Sequence, residues 1–192
     1  MPVIRFITHP EVVIDPAVPV PEWPLSAEGL RRTRLMLGQP WLAQTRSLFT
    51  SAERKARDMA DLLGARLGLT PRILESLGEN DRSATGYLPK AEFEQVADAF
   101  FAAPDLSVRG WERARDAQRR IVAAVEQVIA MAAPDGDVAI IAHGGVGALL
   151  LCHLKGVPIS RAEDQPGGGG GNLFAFDTEG RALRHGWRPI EA

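Results

Sequence analysis

Two short runs rich in β-branched residues, Val3–Thr8 and Val138–Ala142, each stop on a histidine, His9 and His143. A strand that ends on a histidine delivers an imidazole to one edge of a sheet, and in open α/β sheets ligands bind at the carboxyl ends of the strands. If the two strands are neighbours, residues separated by most of the chain meet at one site. The segments between them alternate strand-like and helical patterns. That alternation predicts an α/β fold: a three-layer α/β/α sandwich around a mainly parallel sheet, with the last strands possible as an antiparallel edge.

The first strand leads into Glu11–Pro24, a proline-rich stretch that reads as an extended loop. Ser26 is placed to cap a helix. Ser47–Thr50 reads as a second strand, followed by a helix capped by Ser51 and closed by Gly68, with Ala56, Met59, Ala60, Leu63 and Leu67 as its buried stripe. Arg72–Leu74 reads as a third short strand, and Glu75–Leu88 as a polar loop. Two helices, Lys90–Ala103 and Val108 to about Ala132, precede the strand Val138–Ala142. An apolar helix follows His143, and Asn172–Phe176 with Ala182–Trp187 reads as a closing hairpin.

The chain has 192 residues, enough for one well-filled core and short for two domains, so it is read as a single domain, 1–192. Its net charge of −2 supplies no global pull toward nucleic acid or anionic membrane. No apolar run approaches the ~20 residues of a membrane span. The only cysteine, Cys152, lies in an apolar run and reads as a buried thiol; together these features predict a cytoplasmic protein. No cluster with metal-ligand spacing is visible. The oligomeric state is left open, a homo-oligomer included.

Several segments carry groups suited to phosphate chemistry. Gly144 and Gly145 after His143 permit close backbone approach to a ligand, and the helix they open offers N–H groups to an anion. Arg54 and Lys55 stand in a helix first turn, where cations oppose the helix dipole and a bound phosphate would justify them. The loop around Glu79 and Arg82 combines a carboxyl group able to act as an acid with a guanidinium. The glycine-rich stretches after His143 and at Gly167–Gly171 lack the dinucleotide-binding and P-loop spacings; the second reads as a flexible connection. Trp23, Tyr87 and Trp111 are candidate wall residues, though packing alone would explain each.

In order along the chain, Thr8-His9-Pro10, Leu25–Gly29, Ser51–Ala60, Leu77-Gly78-Glu79, Glu112–Arg120, Ile141–Gly145 and Asn172 resemble the motifs of the histidine phosphatase (phosphoglycerate mutase-like) superfamily. The resemblance implies a metal-independent, cofactor-free phosphomonoesterase acting on a small phosphorylated molecule. His9 would be the nucleophile, His143 would hold the transferring phosphoryl group, and Glu79 would protonate the leaving group and then activate water. Lys55, Thr8, Arg54, Arg82 and Gly144 would bind phosphate. Three positions depart from the pattern. Thr8 stands for an arginine and loses a bidentate cation; Pro10 stands for a glycine and removes an N–H; Lys55 stands for a second arginine, a point charge in place of a planar fork. Arg82 or Arg5 could substitute. A degenerate member that binds a phosphorylated ligand or a protein partner is the alternative. A phosphoglycerate mutase is the weaker third reading, because the chain is short for that branch.

Overall fold

The computed structural model describes residues 1–192. Its six strands form one sheet in the order β3-β2-β4-β1-β5-β6. They are β1 Val3–Thr8, β2 Thr45–Thr50, β3 Arg72–Ile73, β4 Asp137–Ala142, β5 Asn172–Asp177 and β6 Leu183–Pro189. β3, β2, β4 and β1 run parallel, and β5 runs against them, pairing antiparallel with β1 and with the edge strand β6, so the last two strands form the antiparallel edge that the sequence allows. β4 lies between β1 and β2, and every residue in it is buried. Such a strand needs an unbroken apolar run, and Val138–Ala142 provides it.

β1 is a direct neighbour of β4, with Thr8 opposite Ala142. This register brings the two strand-terminal histidines to one end of the sheet. Alternation along β1 then assigns its faces. Ile4 and Phe6 join the larger core beneath the helices α4 (Ala114–Met131) and α5 (Gly144–Lys155), and Ile7 joins the smaller core beneath α1 (Ala27–Met36) and α2 (Arg54–Leu67). α3 (Lys90–Ala102) contributes Val96, Phe100 and Phe101 to the larger core, where Trp111 is also buried. Trp111 is therefore a core residue. No helix is long and apolar enough to cross a membrane.

Some boundaries shift for local reasons. Ser26 caps α1 by accepting from the Gly29 N–H, as its sequence position predicts. The α2 cap is Glu53 and not Ser51, whose hydroxyl is engaged elsewhere. Gly68 closes α2 in the left-handed conformation. The predicted helix from Val108 resolves into a 3-10 turn, Val108–Gly110, an extended link, and α4 starting at Ala114. Gly167–Gly171 is more than a flexible connection. The Gly171 N–H donates to the carbonyl of His9 (3.0 Å), and the Arg32 guanidinium donates to the Gly170 and Gly171 carbonyls (3.0 and 2.9 Å).

Candidate active site

His9 emerges from β1 and lines a cavity of about 870 Å³. Its ring centroid lies 5.2 Å from that of His143. Its Nδ1 is 2.8 Å from the Pro10 carbonyl. A carbonyl oxygen can only accept, so Nδ1 carries the proton and Nε2 keeps its lone pair. The residue is half-buried in the cavity wall. Burial lowers its pKa, and His143 and Lys55 add to this, bringing it to about 3. His9 is therefore a neutral imidazole with a free Nε2 across the physiological range.

His143 is fully buried and does not line the cavity. Its Nε2 lies 2.7 Å from Ser51 Oγ and 3.4 Å from Glu53 Oε1. Its Nδ1 has no protein partner, and neither has Nδ2 of the buried Asn80. Burial lowers the pKa of His143 against the opposing pull of Glu53 and Glu79. Glu53, not singled out in the sequence, lines the cavity beside this histidine. It also accepts from the Glu79 N–H (3.0 Å) and forms an ion pair with Lys55. Burial acts to raise its pKa, but His143, Lys55 and the Glu79 N–H outweigh burial and hold the group ionised.

Lys55 is buried, lines the cavity, and donates from Nζ to the Val20 carbonyl (2.8 Å). Arg54, one residue earlier, is exposed and absent from the cavity wall. The helical period explains the choice: Lys55, Met59 and Leu63 lie four residues apart on the inner face of α2.

Glu79 occupies the place the sequence reading reserved for an external anion. Its carboxylate accepts from the Gly145 and Val146 N–H groups, both at 2.9 Å, at the start of α5. Burial would raise its pKa, yet Arg82, His143 and the Gly145 N–H hold it below the usual carboxylate range. Arg120 pins the segment that carries it, donating to the Ser76 and Gly78 carbonyls (2.9 Å each) and the Glu79 carbonyl (3.1 Å) while pairing with Glu112 (2.7 Å). Arg82 lines the cavity and stacks over Phe93 and Trp111, 5.1 and 5.5 Å from their ring centroids.

Three residues expected to bind phosphate, Thr8, Arg54 and Gly144, do not line the cavity. Arg54 points to solvent. Thr8 lies on the Phe6 side of β1, where its hydroxyl meets Gln165 Oε1 (2.7 Å) and accepts from the Asn172 N–H (3.0 Å), so its capacity is spent. Gly144 lies under the Gln165 side chain, away from the cavity wall; a Cβ there would fall 2.1 Å from Gln165 Nε2. Arg5 faces the opposite end of the strand and pairs with Asp137 at 2.6 Å. The charged residues lining the cavity are Lys55, Arg82 and Lys90 against Glu53, Glu79 and Asp81, three of each sign.

A family model of the histidine phosphatase superfamily (branch 1) matches residues 18–184. The chain belongs to that superfamily. The matched span contains Glu79 and His143 and begins after His9. Among solved structures, Bacillus stearothermophilus YhfR is similar at 22% identity and a TM-score of 0.77, covering 97% of this chain and 95% of that one. A mycobacterial glucosyl-3-phosphoglycerate phosphatase in complex with inorganic phosphate is similar at 22% identity and a TM-score of 0.76, covering 100% of both chains. At these identities the likeness is one of fold. No protein of curated function matches the sequence.

Proposed function

We propose that this superfamily member is a phosphomonoester hydrolase acting on a small phosphorylated substrate through a phosphohistidine at His9. The observation that carries the reading is the neutral His9 on the cavity wall, with Nδ1–H bonded to the Pro10 carbonyl and Nε2 free for in-line attack. In this scheme Nε2 bonds to phosphorus as the ester P–O bond breaks, and the leaving oxygen carries away the electron pair. Water then attacks the phosphohistidine, releasing phosphate and restoring His9. Lys55 and Arg82 offset charge on the transferring oxygens. His143 supports the site from beneath, and Glu79 remains the candidate to activate water.

The test is hydrolysis of 4-nitrophenyl phosphate by wild type and His9→Ala, with alkaline phosphorus NMR of the denatured, substrate-quenched protein. A phosphohistidine signal and a loss of turnover in His9→Ala are expected; equal rates in the two proteins would sink the reading. One observation favours the second reading, a binding protein without turnover: the ionised Glu53 lies where a phosphate dianion would meet it. Vanadate binding with no hydrolysis of any monoester would select that reading.

A further inference from the structure

We propose that the cavity selects phosphomonoesters whose leaving group is an apolar ring of aryl size, and that Ile14, Trp23 and Tyr87 set this preference. The inference rests on the hydrolase reading above and specifies its substrate class. The cavity lining combines the charged groups named above with the apolar side chains of Ile14, Pro19, Pro21, Trp23 and Phe93 and the ring of Tyr87. At about 870 Å³ the space exceeds what a phosphoryl group fills, and it falls in the range of pockets that enclose whole small molecules.

The Pro19–Trp23 stretch of the wall has little hydrogen bonding left to offer a polyol, the polar partners of this cavity lying elsewhere on its lining. Pro19 and Pro21 have no N–H. The Trp23 indole N–H lies between the Asp15 and Val18 carbonyls, at 2.9 and 3.0 Å. The Val20 carbonyl already accepts from Lys55. A sugar laid against this stretch would find few replacements for its hydration, whereas an aromatic ring needs none.

The apolar residues also form a preset corner. Trp23 is buried, and its ring meets that of Tyr87 at 5.8 Å and a tilt of 59°. Tyr87 and Ile14 remain 37% and 58% exposed although they line the cavity, which leaves apolar surface for a ligand to cover. The prolines around Val20 restrict the backbone of this wall before any ligand arrives. The chemistry at the other end agrees. Glu79 is engaged by two helix N–H groups, a poor arrangement for giving up a proton, and an aryl oxide leaves without one.

The test compares kcat/KM for 2-naphthyl phosphate, phenyl phosphate and glycerol 2-phosphate. The two aryl alcohols are of similar acidity, so their ratio reports the wall and not the leaving group. Wild type is expected to favour the naphthyl ester over the phenyl ester by about tenfold, and over glycerol 2-phosphate by more. Ile14→Ser and Tyr87→Ser should each cut the naphthyl-to-phenyl ratio by about threefold or more. A ratio near one, a ratio unmoved in both variants, or equal use of glycerol 2-phosphate overturns the proposal. Calorimetry with naphthylmethylphosphonate and methylphosphonate separates it from the reading it rests on. With no ester turned over, tighter binding of the naphthyl compound that is weakened in Tyr87→Ser keeps the ring site and rejects the hydrolase. Turnover without ring preference does the reverse.

Discussion

Glu53 Oε1 lies 3.4 Å from His143 Nε2, so the candidate phosphate site has a half-buried carboxylate beside its second histidine. Two like charges at close range inside a protein repel strongly. Glu53→Gln keeps an oxygen to accept the Glu79 N–H and removes the charge. The inhibition constant of inorganic phosphate is expected to fall by about tenfold, equivalent to ~1.4 kcal/mol, as Lys55 loses its ion pair and becomes available. Weaker phosphate inhibition in the variant would show instead that Glu53 organises the site.

The histidines set the acid limb of stability. His9 falls from 6.5 to about 3 on folding, and His143 is lowered as well. Between about pH 3 and 6.5 the unfolded chain binds protons that the folded chain refuses, so stability rises with pH in that window and is lost on acidification. The urea midpoint should drop between about pH 7 and pH 4, and drop less in His9→Gln. By NMR, the His9 ring should show no titration from about pH 8 down to pH 4; a midpoint near 6.5 would contradict its assigned environment.

Arg120 joins three carbonyls of the Glu79 segment to α4. Arg120→Met should leave those oxygens and Glu112 short of partners, costing about 2 kcal/mol by denaturant unfolding. It should also lower kcat on 4-nitrophenyl phosphate by about tenfold through displacement of Glu79. Wild-type kcat in a destabilised variant would confine Arg120 to a structural role.

Gly29→Ala separates helix propensity from packing. Alanine in a helix is worth about 1 kcal/mol over glycine. Here its Cβ would fall 2.2 Å from the Glu11 carbonyl oxygen, itself held by the Ser26 N–H. The variant should lose about 2 kcal/mol by thermal unfolding. Gly38→Ala, whose Cβ would meet only the Leu35 carbonyl at 3.4 Å, should stay within about 0.5 kcal/mol of wild type.

The sheet and its two histidines were legible because strand alternation and strand-end position are local signals. The meeting of His9 with His143 followed once β1 and β4 proved adjacent. Lys55 and Arg54 could not be separated by alignment to a motif, but helix phase separates them: residue 55 shares a face with Met59. Glu53 was not legible as a site group, because its pairing with His143 spans 90 residues and nothing local aims its side chain inward. The direction of Thr8 was not legible either. It was assigned to phosphate because it stands where the family motif has an arginine, whereas strand alternation turns it toward Asn172 and Gln165. The N-terminus of α5 was identified as an anion site, but its occupant, Glu79, comes from a loop more than sixty residues away in sequence.

β1 sits inside the sheet, parallel to β4 on one side and antiparallel to β5 on the other. Both partners come from the last third of the chain, so the strand that ends at His9 is made first and waits for both its neighbours. During synthesis Val3–Thr8 waits as an open apolar edge until residues 137–142 and then 172–177 emerge, a delay that slows folding and exposes the edge to mispairing. The strand that leads into His9 is therefore the one whose pairing waits longest on the rest of the chain.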